Sequence, residues 1–551
     1  MSTGIISIPR AHSAAEADTG RDRFSQLLHA EWTKFRTVRG WVIGMILAAI
    51  LMVFVGLFAA GNVNIGCQIN GGPQRSGKAC VPYIPHGPGG IAVTDSFFFV
   101  HQALAGNGSI TAQVVSLTGT HADFGNGPVQ ANQGPNMVAG LTPWSKAGII
   151  IKQNTKQGSA YAAMLVTGSH GVRMQYDYTH DTAGLPGKAS AASPRWLRLT
   201  RSGDTITGYD SADGTHWTEV GTAQLSGLPT SVQVGMFATS PQYIVTSRSF
   251  GGTSNQGGPS QATGVFDHLA LTGATGGTWA GAAVGGGGPI GQGPNGPGSS
   301  TGRGGPAPFS QKAGTFTVTG SGDIAPLVPG AFGPPTATIE QSLAGAFIAL
   351  IAIVVVAAMF FTAEYRRGLI RTTLAAAPRR GRVLAAKAVV IGAVTFVVGL
   401  VAAIIAIVVG VPMESNKGEV VLNVSTLTEA RVIIGTAALL AVAAIFAVAL
   451  GAVLRRSAAA VTLAIITVVL PFLLVAVNVF PPGVGAWLLR LTPAAGLAIQ
   501  QSIPAYAQVT TTYSPAGGYY PLPPFAGFAV LCAYAAGALA LAYVLLRRRD
   551  A

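Results

Sequence analysis

The sequence predicts a polytopic α-helical membrane protein of six spans, with a large all-β region inserted on the outer side between the first span and the second. Three observations carry this. The chain is 551 residues long, 49% hydrophobic and only 10% charged, too apolar for a soluble protein of this size. It holds six unbroken apolar runs of membrane-spanning length. The expected cytoplasmic ends of those runs carry Arg or Lys clusters, which resist translocation, while the outer connections carry only scattered bases.

Residues 1–23 are expected to be a flexible cytoplasmic terminus. Over 24–40, Phe24, Leu27, Leu28, Trp32, Phe35 and Val38 recur at helical spacing. Arg23, His29, Lys34 and Arg36 fall on the other side, which predicts an amphipathic helix lying in the cytoplasmic interface. The first span is expected over 41–60, after Lys34, Arg36 and Arg39. A cleaved signal peptide is the alternative, since Phe58-Ala59-Ala60-Gly61 offers small residues; the long N-terminal stretch and the apolar run of roughly 20 residues favour an uncleaved anchor.

The remaining spans are expected in the segment 339–551. The second covers Leu343–Phe361 and the third Ala388–Val411, ending at Pro412. The fourth covers Val432–Leu454, ending on Arg455-Arg456. The fifth covers Ala458–Phe480, ending on Pro481-Pro482, and the sixth covers Phe525–Leu546, ending on Arg547-Arg548-Arg549. This pattern places both termini and the loop 363–387 in the cytoplasm, and 61–338 outside. The net charge of +14 sits largely beside the spans and calls for no nucleic acid partner; the lipid bilayer is the partner it implies.

The outer region alternates short β-like runs with Gly, Asn and Asp turns. Strands are expected at Ile110–Leu117, Ala147–Gln153, Ala160–Thr167, Arg195–Arg201, Thr205–Ser211, His216–Val220 and Ser231–Thr239. Asp213-Gly214 supplies a hairpin turn, and Trp196 and Trp217 are candidate core aromatics. The string Trp196-Leu197-Arg198-Leu199, Gly203-Asp204-Thr205, Tyr209, Asp213-Gly214 and Trp217 resembles concanavalin-like (jelly-roll) β-sandwich domains, in which W-L-R-L and D-G-x-x-W mark consecutive strands. Phe266–Leu271 looks like the closing strand, so the resemblance covers 93–272. It speaks to fold and leaves the ligand open. The Gly/Pro-rich tract 273–311 is expected to be a flexible linker. Thr315–Thr319 is one more strand, rejoining the sandwich or forming a stalk. Cys67 and Cys80 are a disulfide candidate on the outer side, with two unpaired thiols as the alternative. Cys532 falls inside the sixth span as a small packing residue.

Catalytic chemistry is mostly absent. Gly72 to Ala79 nearly matches a phosphate-binding loop. Ala79 replaces its hydroxyl, and no strand–loop–helix context surrounds it. No H-E-x-x-H or paired C-x-x-C motif appears, so no metal site and no catalytic residue is assigned. Turn and strand-edge roles explain Asp204, Asp210, Asp213 and Glu219 better than a glycosidase pair. The expected span interiors contain no Asp or Glu, which argues against a proton- or ion-driven carrier. Asn478, near the outer end of the fifth span, suits helix-end packing better than a path lining.

The loop Ala363–Lys387 is the densest basic segment, with Arg366, Arg367, Arg371, Arg379, Arg380, Arg382 and Lys387 against the single acid Glu364. Glu364, Gly368, Leu374 and Pro378-Arg379 resemble the E-x-x-x-G…L-x-x-x-P-R segment between the second and third spans of ABC-2-type permeases. The wording H-A-E-W-T-K-F-R-T-V-R before the first span is similar to the connecting helix of that family. The resemblance implies the permease subunit of a bacterial ATP-binding-cassette exporter in the cell membrane. The loop would then be a coupling helix docked on a separate cytoplasmic ATPase. Its candidate residues are Glu364, Tyr365, Arg366, Gly368, Arg371, Leu374, Pro378, Arg379, Arg380 and Arg382. ATP and Mg would sit on the partner ATPase, with no cofactor and no enzymatic activity in this chain, and a second permease would complete a homodimer or heterodimer. Two other readings stay open: a membrane-anchored lectin-like sensor or adhesin, and an outer-face enzyme held by the spans.

Overall fold

A computed structural model describes residues 24–62, 66–68, 74–77, 83–124, 136–288, 308–330, 335–366 and 379–548. Among them, six helices are long and apolar enough to cross a membrane: Arg39–Asn62, Gln341–Tyr365, Arg380–Asn416, Thr426–Leu454, Ser457–Ala476 and Pro524–Arg548. The fourth lies at the centre, with 72% of its most apolar window buried, against 22% for the first and sixth. Its buried face is largely small, with Gly435, Ala437, Ala443, Ala444, Ala447 and Gly451, which lets neighbouring backbones approach closely where lipid supplies no hydrophobic drive. Ser425 opens this helix by accepting from the Thr428 amide, and Arg455 closes it in the left-handed region at φ 57°.

Two spans depart from expectation. The third does not stop at Pro412; the helix runs through it to Asn416. Proline removes one amide donor, yet the helix continues, and two side-chain bonds hold the turn beyond it. The Ser415 hydroxyl donates to the Val411 carbonyl at 3.1 Å, and Ser342 Oγ donates to Glu414 Oε1 at 3.0 Å. Glu414 therefore rides on a membrane helix instead of lying beyond its end. The fifth is not uniform: Ser457–Ala464 passes through a π turn at Ile465–Val469 into Leu470–Ala476. Pro471 lacks the amide the ladder needs, so the widened turn sits just before it. This span ends short of Phe480, at a turn where Asn478 takes φ 56°. The chain then re-enters: Pro493–Gln500 is almost wholly buried, and Leu497 and Ile499 pack on Leu439 and Leu531.

The inserted domain is a sandwich whose sheets are nearly continuous. The main order is Thr218–Gln224, Thr205–Ser211, Arg195–Ser202, Phe97–Ala122, Ser231–Thr239, Lys146–Lys152, Tyr161–Thr167, Val172–Tyr176 and His180–Ala183. One 26-residue strand, Phe97–Ala122, belongs to both layers. Its first half pairs with Ser231–Thr239 and its second half with Arg195–Ser202. The other edge runs along Ser260–Val284. Between the layers lies one core, including Val100, Ile110, Val114, Ile149, Met164, Leu197, Leu199 and Phe266. Thr315–Gly320 pairs with Ser260–Val284, so it rejoins the sandwich.

Two expectations are corrected here. Gly273–Val284 is not linker but strand, covering the exposed edge of Phe97–Gly108 with small residues and bulges. The end of that tract is strand too, Phe309–Lys312 pairing with Thr315–Gly320, while residues 289–307 lie outside the described residues. Trp196 and Trp217 are half-buried and sit outside the core. Strand alternation turns Leu197 and Leu199 inward and Trp196 and Arg198 outward. The two tryptophans instead fasten the Asp213-Gly214 turn. Trp217 Nε1 donates to the Gly214 carbonyl at 3.1 Å, with the Arg198 guanidinium 3.9 Å from the Trp217 ring centre. Trp196 lies so close to Gly214, at φ 77°, that a Cβ there would fall 2.7 Å from its ring. Cys67 lies in the strand Gly66–Gln68, whereas Cys80 lies outside the described residues, so the structure does not describe the pair. Cys532 is a free thiol in the sixth span.

In a domain spanning 83–328 expressed alone, Leu199→Ala should cost about 2–5 kcal/mol, the range for emptying a buried aliphatic site. Trp196→Ala should cost less than half of that. Urea unfolding checks both, and equal losses would put Trp196 back in the core.

Candidate functional site

The interfacial helix, Phe24–Thr37, carries an acid inside its apolar stripe: Glu31 and Phe35 are its buried residues. Phe35 meets the Phe360 ring edge-on at 6.0 Å, and Trp41 meets the same ring at 4.9 Å. Phe24 and Trp32 remain exposed, at 38% and 43%. The helix therefore divides its apolar residues between the bundle and its open side, with Glu31 turned toward the bundle.

There Glu31 joins a ring of charges. Lys387 Nζ donates to Glu31 Oε2 and to Glu364 Oε1, both at 2.7 Å. Lys34 Nζ donates to Glu31 Oε1 at 2.9 Å and to Glu364 Oε1 at 3.1 Å. The Lys387 side chain is 1% exposed and that of Glu31 3%, while that of Lys34 is 39% exposed. The Phe360 ring centre lies 4.9 Å from Lys387 Nζ, so a π face supports the buried ammonium. Two carboxylates and two ammoniums balance in charge. Three elements supply them: the interfacial helix, the end of the second span and the start of the third.

Glu364 and Lys387 are the two roots of the basic loop, and they touch. The residues assigned to that loop therefore divide. Glu364, grouped by sequence with the docking residues, faces inward and fixes the loop's base. Tyr365 is half-buried, with the Arg455 guanidinium 5.3 Å from its ring centre. Arg366 ends the second-span helix. Gly368, Arg371, Leu374 and Pro378 lie outside the described residues. Arg380 Nη1 donates to the Leu546 carbonyl at 2.7 Å, tying the third span to the end of the sixth. Arg379 and Arg382 are exposed, and with Arg380, Tyr543 and Arg547 they line an open basic cleft of about 620 Å³.

Sequence reasoning missed Glu31 and treated Lys34 and Lys387 only as interfacial charges. A signal was present: Glu31 falls on the Leu27, Leu28 and Phe35 face, where an unpaired acid would be costly. Elsewhere, Asp204 accepts from the Gly227 and Leu228 amides, and Asp213 accepts from the Thr215 and His216 amides, which are turn roles. The His216 ring, with those amides, holds the Asp213 carboxyl well below the usual carboxylate range. Asn478 Nδ2 donates to Thr253 Oγ1 at 3.0 Å, so it joins the end of the fifth span to the inserted domain. No group of three or more His, Cys, Asp or Glu among the described residues is placed to hold a metal ion.

The family model described as "ABC-2 family transporter protein" matches residues 27–551, from the interfacial helix through the sixth span. The chain belongs to the ABC-2 transporter family. Within this ABC-2 protein the match runs through the charge ring, the loop and the inserted sandwich. No curated protein matches the chain. Among solved structures, a functionally unknown protein from Saccharomyces cerevisiae is similar at 17% identity, covering 39% of this chain and 90% of its own, with a TM-score of 0.19. A scytalido-glutamic peptidase with a transition state analog inhibitor is similar at 9% identity, covering 43% and 100%, with a TM-score of 0.25. Scores of this size say nothing about activity.

Lys387→Met leaves Glu31 and Glu364 buried without their enclosed counter-charge, and should destabilise the ABC-2 protein by about 3–5 kcal/mol. Lys34→Met, at the solvent edge, should cost about 0–1 kcal/mol. Reversible denaturation in mixed micelles measures both; equal losses would show that the ring is not buried.

Proposed function

We propose that this ABC-2 protein is the permease subunit of an ATP-driven exporter, pairing with a second permease and coupled to a separate cytoplasmic ATPase. One observation supports this most: Glu364 and Lys387, at the two ends of the basic segment 363–387, belong to a buried charge ring that joins the helix Phe24–Thr37 to the second and third spans. Pulling those elements apart would expose unpaired charges to a low-dielectric interior, so they move together. A force on the loop is then delivered to two spans at once. The basic cleft of Arg379, Arg380 and Arg382 offers charge complementarity to an acidic surface on the ATPase. ATP and Mg bind on that partner, and closure of its subunits supplies the stroke. Both termini lie in the cytoplasm of a bacterial cell and the sandwich lies outside, as the basic flanks require.

The double variant Gly368→Leu with Pro378→Ala leaves net charge unchanged, so insertion should be normal. Association with the ATPase should weaken at least about ten-fold, a loss of about 1.4 kcal/mol. Substrate-stimulated ATP hydrolysis in the reconstituted complex should fall with it. Full transport by the double variant would remove the loop from the coupling path. A tag after Ser415 should be reached from outside and one after Arg380 only from inside; the reverse pattern would overturn the orientation.

A further inference from the structure

At the other ends of the spans lies a half-open pocket of about 470 Å³. It is built inside a single chain, from the last turn of the first span, the start of the second, the end of the third, the fifth span and the re-entrant segment. Most of its wall is apolar. Phe347 and Phe472 ring centres stand 5.1 Å apart, and Phe472 and Tyr520 6.4 Å apart, so three π faces follow one another along it.

Three carboxylates interrupt this wall. Glu414 is only 2% exposed; Ser342 Oγ donates to its Oε1 at 3.0 Å, and its buried Oε2 has no hydrogen-bond partner among the described residues. Glu340 Oε1 accepts from the Ser502 amide at 3.2 Å, and its buried Oε2 likewise has none. Glu419 stands at the same cavity. Burial pushes the carboxyls of Glu340 and Glu419 up. Arg431, the cation that faces Glu340, directs its guanidinium at the carbonyls of Ile499 and Gln501, at 3.2 and 2.7 Å. Buried oxygens left open beside π faces suit a positive charge attached to an apolar body. A hard divalent ion needs six or more oxygens brought together, and among the described residues no three acidic, His or Cys side chains converge to hold one.

We propose that the cavity binds an organic cation, its charge held by Glu414 and Glu340 and its apolar or aromatic body lying against Phe347, Phe472 and Tyr520. As a statement of the exported substrate class, this rests on the exporter reading; as a binding site it does not, because every residue named here lies in one chain.

The test uses the full chain in lipid nanodiscs, without an ATPase, and equilibrium dialysis with tetraphenylphosphonium. Empty nanodiscs correct for partition into lipid. Tetraphenylborate supplies the same shape with the opposite charge. Saturable binding of the phosphonium and none of the borate is expected. Glu414→Gln, which keeps the side-chain shape, should weaken the phosphonium about ten-fold, the worth of one charge-assisted contact. Phe472→Leu should weaken it while leaving both acids in place, and it carries the test should Glu414→Gln fail to fold. Equal binding of the two ions, undiminished binding by both variants, or displacement of the phosphonium by stoichiometric calcium would overturn the proposal. If the phosphonium binds as expected but no ATPase associates with the chain, the exporter reading alone falls.

Discussion

The membrane part of this protein is organised by a rule of electrostatics: charges taken out of water must stay together. Glu31, Lys34, Glu364 and Lys387 come from three elements far apart in sequence, yet they share one site with alternating bonds of 2.7 to 3.1 Å. Apolar packing alone would let an amphipathic helix slide or roll at the interface, because lipid solvates its apolar side as well as protein does. Glu31 removes that freedom, since only one placement of the helix brings it to Lys387. Such a ring adds little net stability compared with apolar side chains of the same volume. What it adds is register.

The spans were legible because hydrophobic length and flanking charge are local signals. The sandwich was legible for a related reason: the alternation in Arg195–Ser202 reports one buried face of that strand. What sequence did not reveal depends on partners distant in the chain. Trp196 is large and apolar, but its neighbours Leu197 and Leu199 occupy the inward positions, and no composition rule decides between the two faces. Gly273–Val284 has the composition of a linker. It becomes strand because the long strand Phe97–Ala122 offers it an unfilled edge. Proline ordinarily disfavours a helix interior, yet the third span continues past Pro412 to Asn416. Within the charge ring, Glu364 was visible and its inward direction was not.

The sandwich is not a freely swinging appendage. Its hairpin Tyr243–Gly258 meets the end of the fifth span, where the Gly251 amide donates to the Val477 carbonyl at 2.9 Å, beside the Asn478–Thr253 bond. Gln508, after the re-entrant segment, donates to the Tyr178 carbonyl at 3.1 Å. A short parallel bridge joins Thr336–Ala337 to Val420–Val421. The hairpin contacts sit at the end of the fifth span and the bridge just past the end of the third, the helices that also wall the acidic cavity.

The strand Thr315–Gly320, which pairs with Ser260–Val284 just before the second span, sets an order on biogenesis. The sandwich cannot close until that strand has left the ribosome, so the first span must hold the growing chain at the membrane alone meanwhile. At a synthesis rate of roughly 5–20 residues per second, that wait lasts on the order of 15–60 s. Until Ser260–Val284 has followed, the open edge of Phe97–Ala122 has no partner. The nascent domain is therefore most exposed to chaperones, proteases and misfolding in the interval between the insertion of its first helix and the arrival of its second.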